Sequence, residues 1–305
     1  MMGRIEMRII KRLVLRIYHG MQHHYWSFRV LVWLKECGIT RRINYYVGHF
    51  PGRNAKENPT EEMKQSRDFY ETNRKRIADM LNLLSDEKSE MVWGRVMNYR
   101  INRETIPEDL YSENDQYFCR NIIKIEDGEV FLDGGAYTGD TIQQFMDTCK
   151  REKVQYKKIV AFEPDKNNFM LLSKFYGKRK EIMLFDKGLS KEADILYFQE
   201  EGVSSRLSEQ GTVRIPVVNI DGVPECRDVT FIKMDIEGAE MDALYGAKET
   251  IKRNRPKLAV CIYHSDEDMV RITEYIHSLV PEYRLYVRHH SRSAVETVVY
   301  AVTDR

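Results

Sequence analysis

Cysteine is scarce and scattered in this chain of 305 residues. The five thiols (Cys37, Cys119, Cys149, Cys226, Cys261) are odd in number and form no CxxC pair. That pattern excludes a disulfide framework and a zinc knuckle and suits a reducing, cytoplasmic compartment. An excess of charge is also missing: 48 Lys and Arg stand against 47 Asp and Glu, a net of +1. Global charge therefore offers no argument for nucleic acid as a partner. Long apolar runs are absent too. Uncharged stretches such as Ile17–Phe28 are short and contain His and Gln, whereas a membrane span needs about 20 mostly apolar residues. Arg4, Glu6, Arg8, Lys11, Arg12 and Arg16 break up any apolar core of a secretory signal. There is no internal repeat. With 42% hydrophobic and 31% charged residues, wholesale disorder is excluded.

What is present divides into two textures, residues 1–115 and 116–305. The first reads as mainly helical. Met7, Ile10, Leu13, Val14 and Ile17 follow one helix face, Val30, Trp33, Leu34 and Cys37 a second, with Gly38 as its stop. Residues 46–58 read as a loop, Glu61–Leu84 as a long helix and Met91–Ile101 as another. The first 42 residues carry nine Lys and Arg against Glu6 and Glu36. They form either a solvated face or a surface for weak contact with anionic lipid or acidic glycan. From Glu129 onward, short apolar runs alternate with helical spacing. Glu129–Leu132, Lys158–Phe162, Ile182–Phe185, Val229–Met234 and Leu258–Tyr263 read as buried strands. The intervening helices are Thr138–Cys149, Asp165–Phe175, Ala239–Arg253 and Asp266–Leu279. The expected fold is α/β, Rossmann-like, with a mostly parallel sheet covered on both faces. Ile195–Phe198 and Val213–Val218 read as an inserted β pair. Arg284–Arg288 and Glu296–Val302 read as a closing hairpin, which requires an antiparallel edge strand.

Three motifs carry chemistry. The run Asp133, Gly134, Gly135, Ala136, Tyr137, Thr138, Gly139, Asp140, Thr141 takes a strand through a glycine turn into a helix, with Thr138 as the expected cap. It lacks the GxGxxG order of dinucleotide loops, and Asp133 would repel a pyrophosphate. A cationic ligand such as S-adenosylmethionine tolerates that acid. Glu163, followed by Pro164, ends the second strand 28 residues after Gly135, where an acid can accept hydrogen bonds from two ribose hydroxyls. Asp235 ends the fourth strand and points at the crevice. Glu237 and Glu240 open the next helix, where acids also suit the helix dipole.

Taken in order, Asp133–Asp140, Phe162-Glu-Pro-Asp165 and Lys233-Met-Asp-Ile-Glu-Gly-Ala-Glu240 resemble the FkbM-type S-adenosylmethionine-dependent methyltransferases. Leu258–Asp268, Arg288–Ser291, Glu296–Val302 and the lead-in Gln116–Phe118 are similar to a bacterial branch of that family. The resemblance covers about residues 112–303. It implies a class I methyltransferase sheet of seven strands with the last antiparallel. It also implies methyl transfer, usually to oxygen, on sugars of polysaccharides or on natural-product scaffolds. By the same resemblance, Asp133, Gly135 and Gly139 fall on the methionine side of the cofactor and Glu163 on its ribose. Asp186 and Lys187, with Gly188 beside them, fall near the adenine edge. Tyr137 stands where many methyltransferases have glycine, a departure that FkbM-type proteins share.

An acceptor hydroxyl needs its proton removed during attack. His264 is the preferred base and Asp235 the preferred orienting group, although His264 also immediately precedes a capping box at Ser265–Asp268. His289 and His290 are adjacent on a strand and face opposite ways, so they do not share an ion. Asp235, Asp221 and His264 have the chemistry to hold Mg²⁺, but no ligand spacing requires it, and no metal is expected. Ser204–Arg206 reads as a loop over the nucleotide or a plain turn. The expected partners are a glycan or small-molecule acceptor, and a second copy of the chain is compatible with the sequence. Two other readings are a nicotinamide-dependent oxidoreductase and a non-catalytic scaffold for glycan assembly.

Overall fold

The computed structural model describes residues 60–304 apart from 202–203 and 208–212. The helices expected before residue 59, the loop at 46–58 and the basic N-terminal segment lie outside the described residues.

Three helices lead in. Helix α1 (Glu61–Thr72) is capped by Thr60, whose hydroxyl accepts from the Met63 N–H at 3.3 Å. Helix α2 (Arg74–Leu81) follows directly. The sequence pattern suggests one continuous helix from 61 to 84, but Asn73 divides it. Its side-chain amide donates to the Phe69 carbonyl at 2.9 Å, the same oxygen its backbone N–H uses. A short polar side chain competing for main-chain groups interrupts helix propagation. Helix α3 (Glu87–Asn102) begins at Asp86, which accepts from the Ser89 N–H at 2.9 Å.

The strands β1 (Val130–Gly134), β2 (Lys158–Phe162), β3 (Ile182–Phe185), β8 (Phe231–Met234), β9 (Lys257–Cys261), β10 (Arg284–His289) and β11 (Thr297–Val302) form one sheet in the order β10-β11-β9-β8-β1-β2-β3. All pairings among β3, β2, β1, β8 and β9 are parallel. Strand β11 is antiparallel to both β9 and β10. This corrects the expectation of an antiparallel edge. The last strand inserts between β9 and β10, so the antiparallel member is internal and β10 forms the edge. A hairpin pattern fixes the direction of a pair but not which member is outermost.

Side chains alternate across the sheet as the pleat requires. Val130, Leu132, Val160, Ile232, Leu258 and Val260 point to one core, and Phe131, Ile159, Ala161, Phe231, Ala259 and Cys261 to the other. The second core is covered by α4 (Asp140–Glu152) and α5 (Lys166–Tyr176). The first is covered by α6 (Glu240–Tyr245), α7 (Lys248–Asn254) and α8 (Asp268–Leu279). The expected single helix over 239–253 is split at Gly246, where a Cβ would come within 2.1 Å of the Ser190 carbonyl oxygen. A second, four-stranded sheet has the order β4-β7-β5-β6, with β4 (Gly188–Leu189), β5 (Asp194–Glu201), β6 (Ser204–Leu207) and β7 (Val213–Val218). The expected β pair is β5 and β7. Ser204–Arg206 is strand rather than loop, pairing antiparallel with β5.

Residues 60–115 share the core of the larger sheet. Tyr70, Ile77, Met80, Val92, Trp93 and Val96 pack in one cluster with Leu285, Val287 and Met269. The Trp93 indole donates to the Met269 carbonyl at 3.0 Å. Arg288 of β10 reaches the Asp86 carboxylate at 2.6 Å. Burial pushes the Asp86 carboxyl upward, but Arg288 and Ser89 outweigh it and hold the group below the ordinary aspartate value.

A folded-state pKa below the unfolded one adds stability above the unfolded value, and this is lost as pH falls through the folded value. Asp86→Asn keeps an N-cap oxygen but removes the charge that faces Arg288, and is expected to cost about 1 kcal/mol at neutral pH. It should also flatten the fall in stability below about pH 4. Chemical denaturation across pH checks both. An unchanged acid-side slope would contradict the assignment.

Candidate active site

The crevice at the carboxyl ends of β1, β2, β8 and β9 is built on a buried ion pair. Asp133 and Lys233 are register partners on β1 and β8, both almost completely buried, with Lys233 Nζ 2.9 Å from Asp133 Oδ1. The same ammonium donates to the carbonyls of Gly134 at 3.0 Å and Gly135 at 2.8 Å. It also lies 5.1 Å from the centre of the Tyr117 ring. Burial raises the Asp133 carboxyl to about 6 against the pull of Lys233. For Lys233, burial favours the neutral form, but Asp133 and Asp235 more than reverse it and hold the ammonium charged. Asp133 thus lies beneath the turn, neutralised from the neighbouring strand. In the sequence, Lys233 opens the third motif without being marked as a charge partner. Its only signal is a lysine inside an otherwise apolar strand.

Above the pair, the backbone winds through positive φ at Gly135 (74°), Tyr137 (50°) and Gly139 (91°). Gly135 is dictated by contact, since a Cβ there would sit 2.0 Å from the Asp235 carbonyl oxygen. The N–H groups of Gly135 and Ala136 both donate to the Phe162 carbonyl, at 3.1 and 3.0 Å. Helix α4 starts at Asp140, so Gly139 takes the cap position expected for Thr138, without a side-chain cap bond. Thr138, Thr141 and Ala136 are buried, while the Tyr137 side chain is exposed at the lip.

Glu163 closes the turn. One carboxylate oxygen accepts from the Tyr137 N–H at 2.7 Å and the other from the Asp165 N–H at 2.9 Å. Burial raises its pKa, opposed by those two N–H groups. The Asn168 side chain is a third hydrogen-bond partner, and since an ionised carboxylate offers about four acceptor positions, Glu163 still has room for a hydroxyl donor. The Glu163 N–H donates to the Phe185 carbonyl, which brings the end of β3 alongside. There, Asp186 is exposed and Lys187 half-buried, and a Cβ on Gly188 would lie 3.9 Å from Pro164.

On the other flank, Asp235 Oδ2 accepts from the Tyr117 hydroxyl at 2.6 Å and Oδ1 from the Tyr263 hydroxyl at 2.9 Å. Burial pushes this carboxyl up, but Lys233 and the tyrosines bring it below the ordinary value, so it is ionised. His264 stands with its Nε2 at 3.7 Å from Asp235 Oδ1 and 3.6 Å from Glu237 Oε2, and its Nδ1 at 3.2 Å from Glu240 Oε1. Burial would lower the imidazole pKa, but the three carboxylates, led by Glu240, raise it. Asp235 and His264 are therefore brought together. Asp221 is not with them: its carboxylate accepts from the Glu249 and Thr250 N–H groups at 2.9 and 2.8 Å and caps α7. His289 and His290 are buried and tied to Thr297, and to Ser112 and Tyr300, respectively.

The crevice suits a cationic nucleoside better than a pyrophosphate. Residues 133–141 contain no Lys or Arg. The nearest buried ammonium is already paired with Asp133, while Asp235 presents an ionised carboxylate. The charge pattern is compatible with S-adenosylmethionine, which carries a sulfonium and an ammonium.

The family model described as the Methyltransferase FkbM domain matches residues 133–291, just over half of the chain. Among solved structures, the methyltransferase FkbM from Methylobacillus flagellatus is similar at 26% identity and a TM-score of 0.65 over 77% of this chain. The match spans 60% of that protein's length. Aeropyrum pernix fibrillarin, solved with S-adenosyl-L-methionine, matches at 12% identity and a TM-score of 0.38. That match covers 62% of this chain and 73% of that one, a likeness too distant to carry an argument. No protein among the curated sequences matches.

Two substitutions test the architecture. Lys233→Met leaves Asp133 buried without a counter-charge and is expected to cost about 3–5 kcal/mol. A loss under about 1 kcal/mol in denaturant unfolding would remove the pair from this role. Gly135→Ala must displace the 235 backbone as well as adopt an unfavourable φ, so it should cost more than about 1 kcal/mol.

Proposed function

The chain belongs to the family of FkbM methyltransferase domains, and from that membership we propose that it is an S-adenosylmethionine-dependent O-methyltransferase. Its acceptor is a hydroxyl of a sugar, in a polysaccharide or a glycosylated small molecule. The observation that carries the cofactor assignment is Glu163: a carboxylate fixed by two backbone N–H groups at the end of β2, beside a turn free of basic residues. A dinucleotide would need the opposite charge pattern at that turn.

S-adenosylmethionine supplies an activated methyl group, so the chain's own task is alignment and proton handling. The 134–139 turn and Glu163 hold the nucleoside and set the direction of the methyl. Asp235 and His264 are the groups that meet the acceptor hydroxyl. Asp235 is locked by the hydroxyls of Tyr117 and Tyr263 and orients either the acceptor or the cofactor ammonium. The imidazole of His264 faces the carboxylates of Asp235, Glu237 and Glu240 at 3.2–3.7 Å, which favour its taking up the acceptor's proton. We place the reaction in the cytoplasm on the free thiols of Cys119, Cys149, Cys226 and Cys261. Among the described residues, no helix is long and apolar enough to cross a membrane.

The test is thermal unfolding with S-adenosylmethionine, S-adenosylhomocysteine and NADH. A ligand at 100 times its Kd stabilises by about 2.7 kcal/mol, which moves the melt by roughly 5–10 °C for a domain of this size. Both sulfur nucleosides should produce the shift and NADH none. Glu163→Gln keeps the shape but loses the charge, and should weaken binding by about tenfold or more. The unliganded melting temperature of that variant separates lost binding from a loosened turn. A shift with NADH alone would overturn the cofactor assignment.

A further inference from the structure

Glu240 is the first residue of α6 and is completely buried. An acid at this position ordinarily faces solvent and the helix dipole. Here the left-handed residues Glu237 (φ 57°) and Gly238 (φ 97°) fold the chain back on itself. One Glu240 carboxylate oxygen accepts from the Ile236 N–H at 2.7 Å, and the other has no hydrogen-bond donor. Both ring nitrogens of the adjacent His264 lack a hydrogen-bond partner as well. Leaving that second carboxylate oxygen desolvated and unmatched costs free energy that the fold must recover.

One ligand atom each from Asp235, Glu240 and His264 lies within 4.8 Å of the other two. One imidazole nitrogen can serve one ion, and a spread of 4.8 Å among one ligand atom from each residue is close to the span of about 4.2 Å across an ion with bonds of about 2.1 Å. The Tyr117 and Tyr263 hydroxyls fix Asp235 from behind, as outer partners fix a metal-binding carboxylate. We propose that Asp235, Glu240 and His264 form a divalent-cation site at the carboxyl edge of β8 and β9. Two carboxylates and one imidazole suit Mn²⁺ or Zn²⁺ better than Ca²⁺ or Mg²⁺, which favour all-oxygen sites. Three protein ligands leave coordination positions open toward the crevice. Where the methyltransferase reading holds, a cation there would acidify the acceptor hydroxyl, and His264 would serve as its ligand instead of as the base.

A proton is the rival occupant, since a protonated imidazole between two carboxylates also satisfies the charges. Titration of the chelator-stripped full chain with Mn²⁺, followed by the electron paramagnetic resonance of free ion, separates the two. One ion per chain should be bound. His264→Gln and Glu240→Gln should each weaken binding by at least tenfold. The amide oxygen introduced by Glu240→Gln can still accept from the Ile236 N–H, which protects the fold. Circular dichroism and melting temperature confirm that the variants are folded. No depletion of free Mn²⁺ by the wild type, or equal depletion by folded variants, would overturn the site and leave the proton as occupant. Repeating the titration with Zn²⁺ in competition reports the preferred ion. The readout uses metal alone, so its failure would not touch the methyltransferase reading, and absence of an S-adenosylmethionine shift would not touch the cation site.

Discussion

The ammonium of Lys233 is the point on which the crevice depends. It sits between β1 and β8, cancels the charge of Asp133 and ties down the first two carbonyls of the glycine turn. A buried ion pair gives little net stability, because desolvation offsets the attraction. Its value here is positional. Carbonyls that accept from a fixed ammonium cannot peel away, so the turn keeps one path and its following N–H groups keep one direction.

The rest of the crevice is arranged around that fixed turn. The Phe162 carbonyl takes two of its N–H groups and Glu163 takes a third, which joins the turn to β2. The Asp235 N–H donates to the Gly134 carbonyl at 3.2 Å and joins it to β8. The missing Cβ of Gly135 permits that approach. The inward charge of Asp133 is spent within the protein, so the acids left facing the crevice are Glu163 on one flank and Asp235 with its neighbours on the other. In the proposed function the first flank takes the nucleoside and the second meets the acceptor.

The helices before the sheet also bear on the site. Arg100 of α3 contacts Asp266 at 2.9 Å and donates to the Tyr263 carbonyl, bracketing the segment that carries His264. Tyr70 and Ser66 reach the same Asp266 carboxylate, each at 2.6 Å. The imidazole is thus positioned by residues nearly 200 places earlier in the chain as well as by its own strand.

The sequence by itself determined the alternation of strands and helices, the glycine turn, the acid at the end of β2 and the family. Each is a local pattern: periodicity of two or 3.6, a glycine where φ is positive, a carboxylate where a strand stops. It also brought Asp235 and His264 to the ends of adjacent strands. Tertiary structure alone decided that Asp133 faces Lys233, that β11 lies inside the sheet, that Asp221 caps a helix away from the crevice and that Glu240 is buried against His264. These depend on strand register and on the path of a turn, which bring together residues such as Asp133 and Lys233 that are 100 positions apart. A spacing pattern records neighbours along the chain, whereas the electrostatics of a buried site are set by neighbours across it.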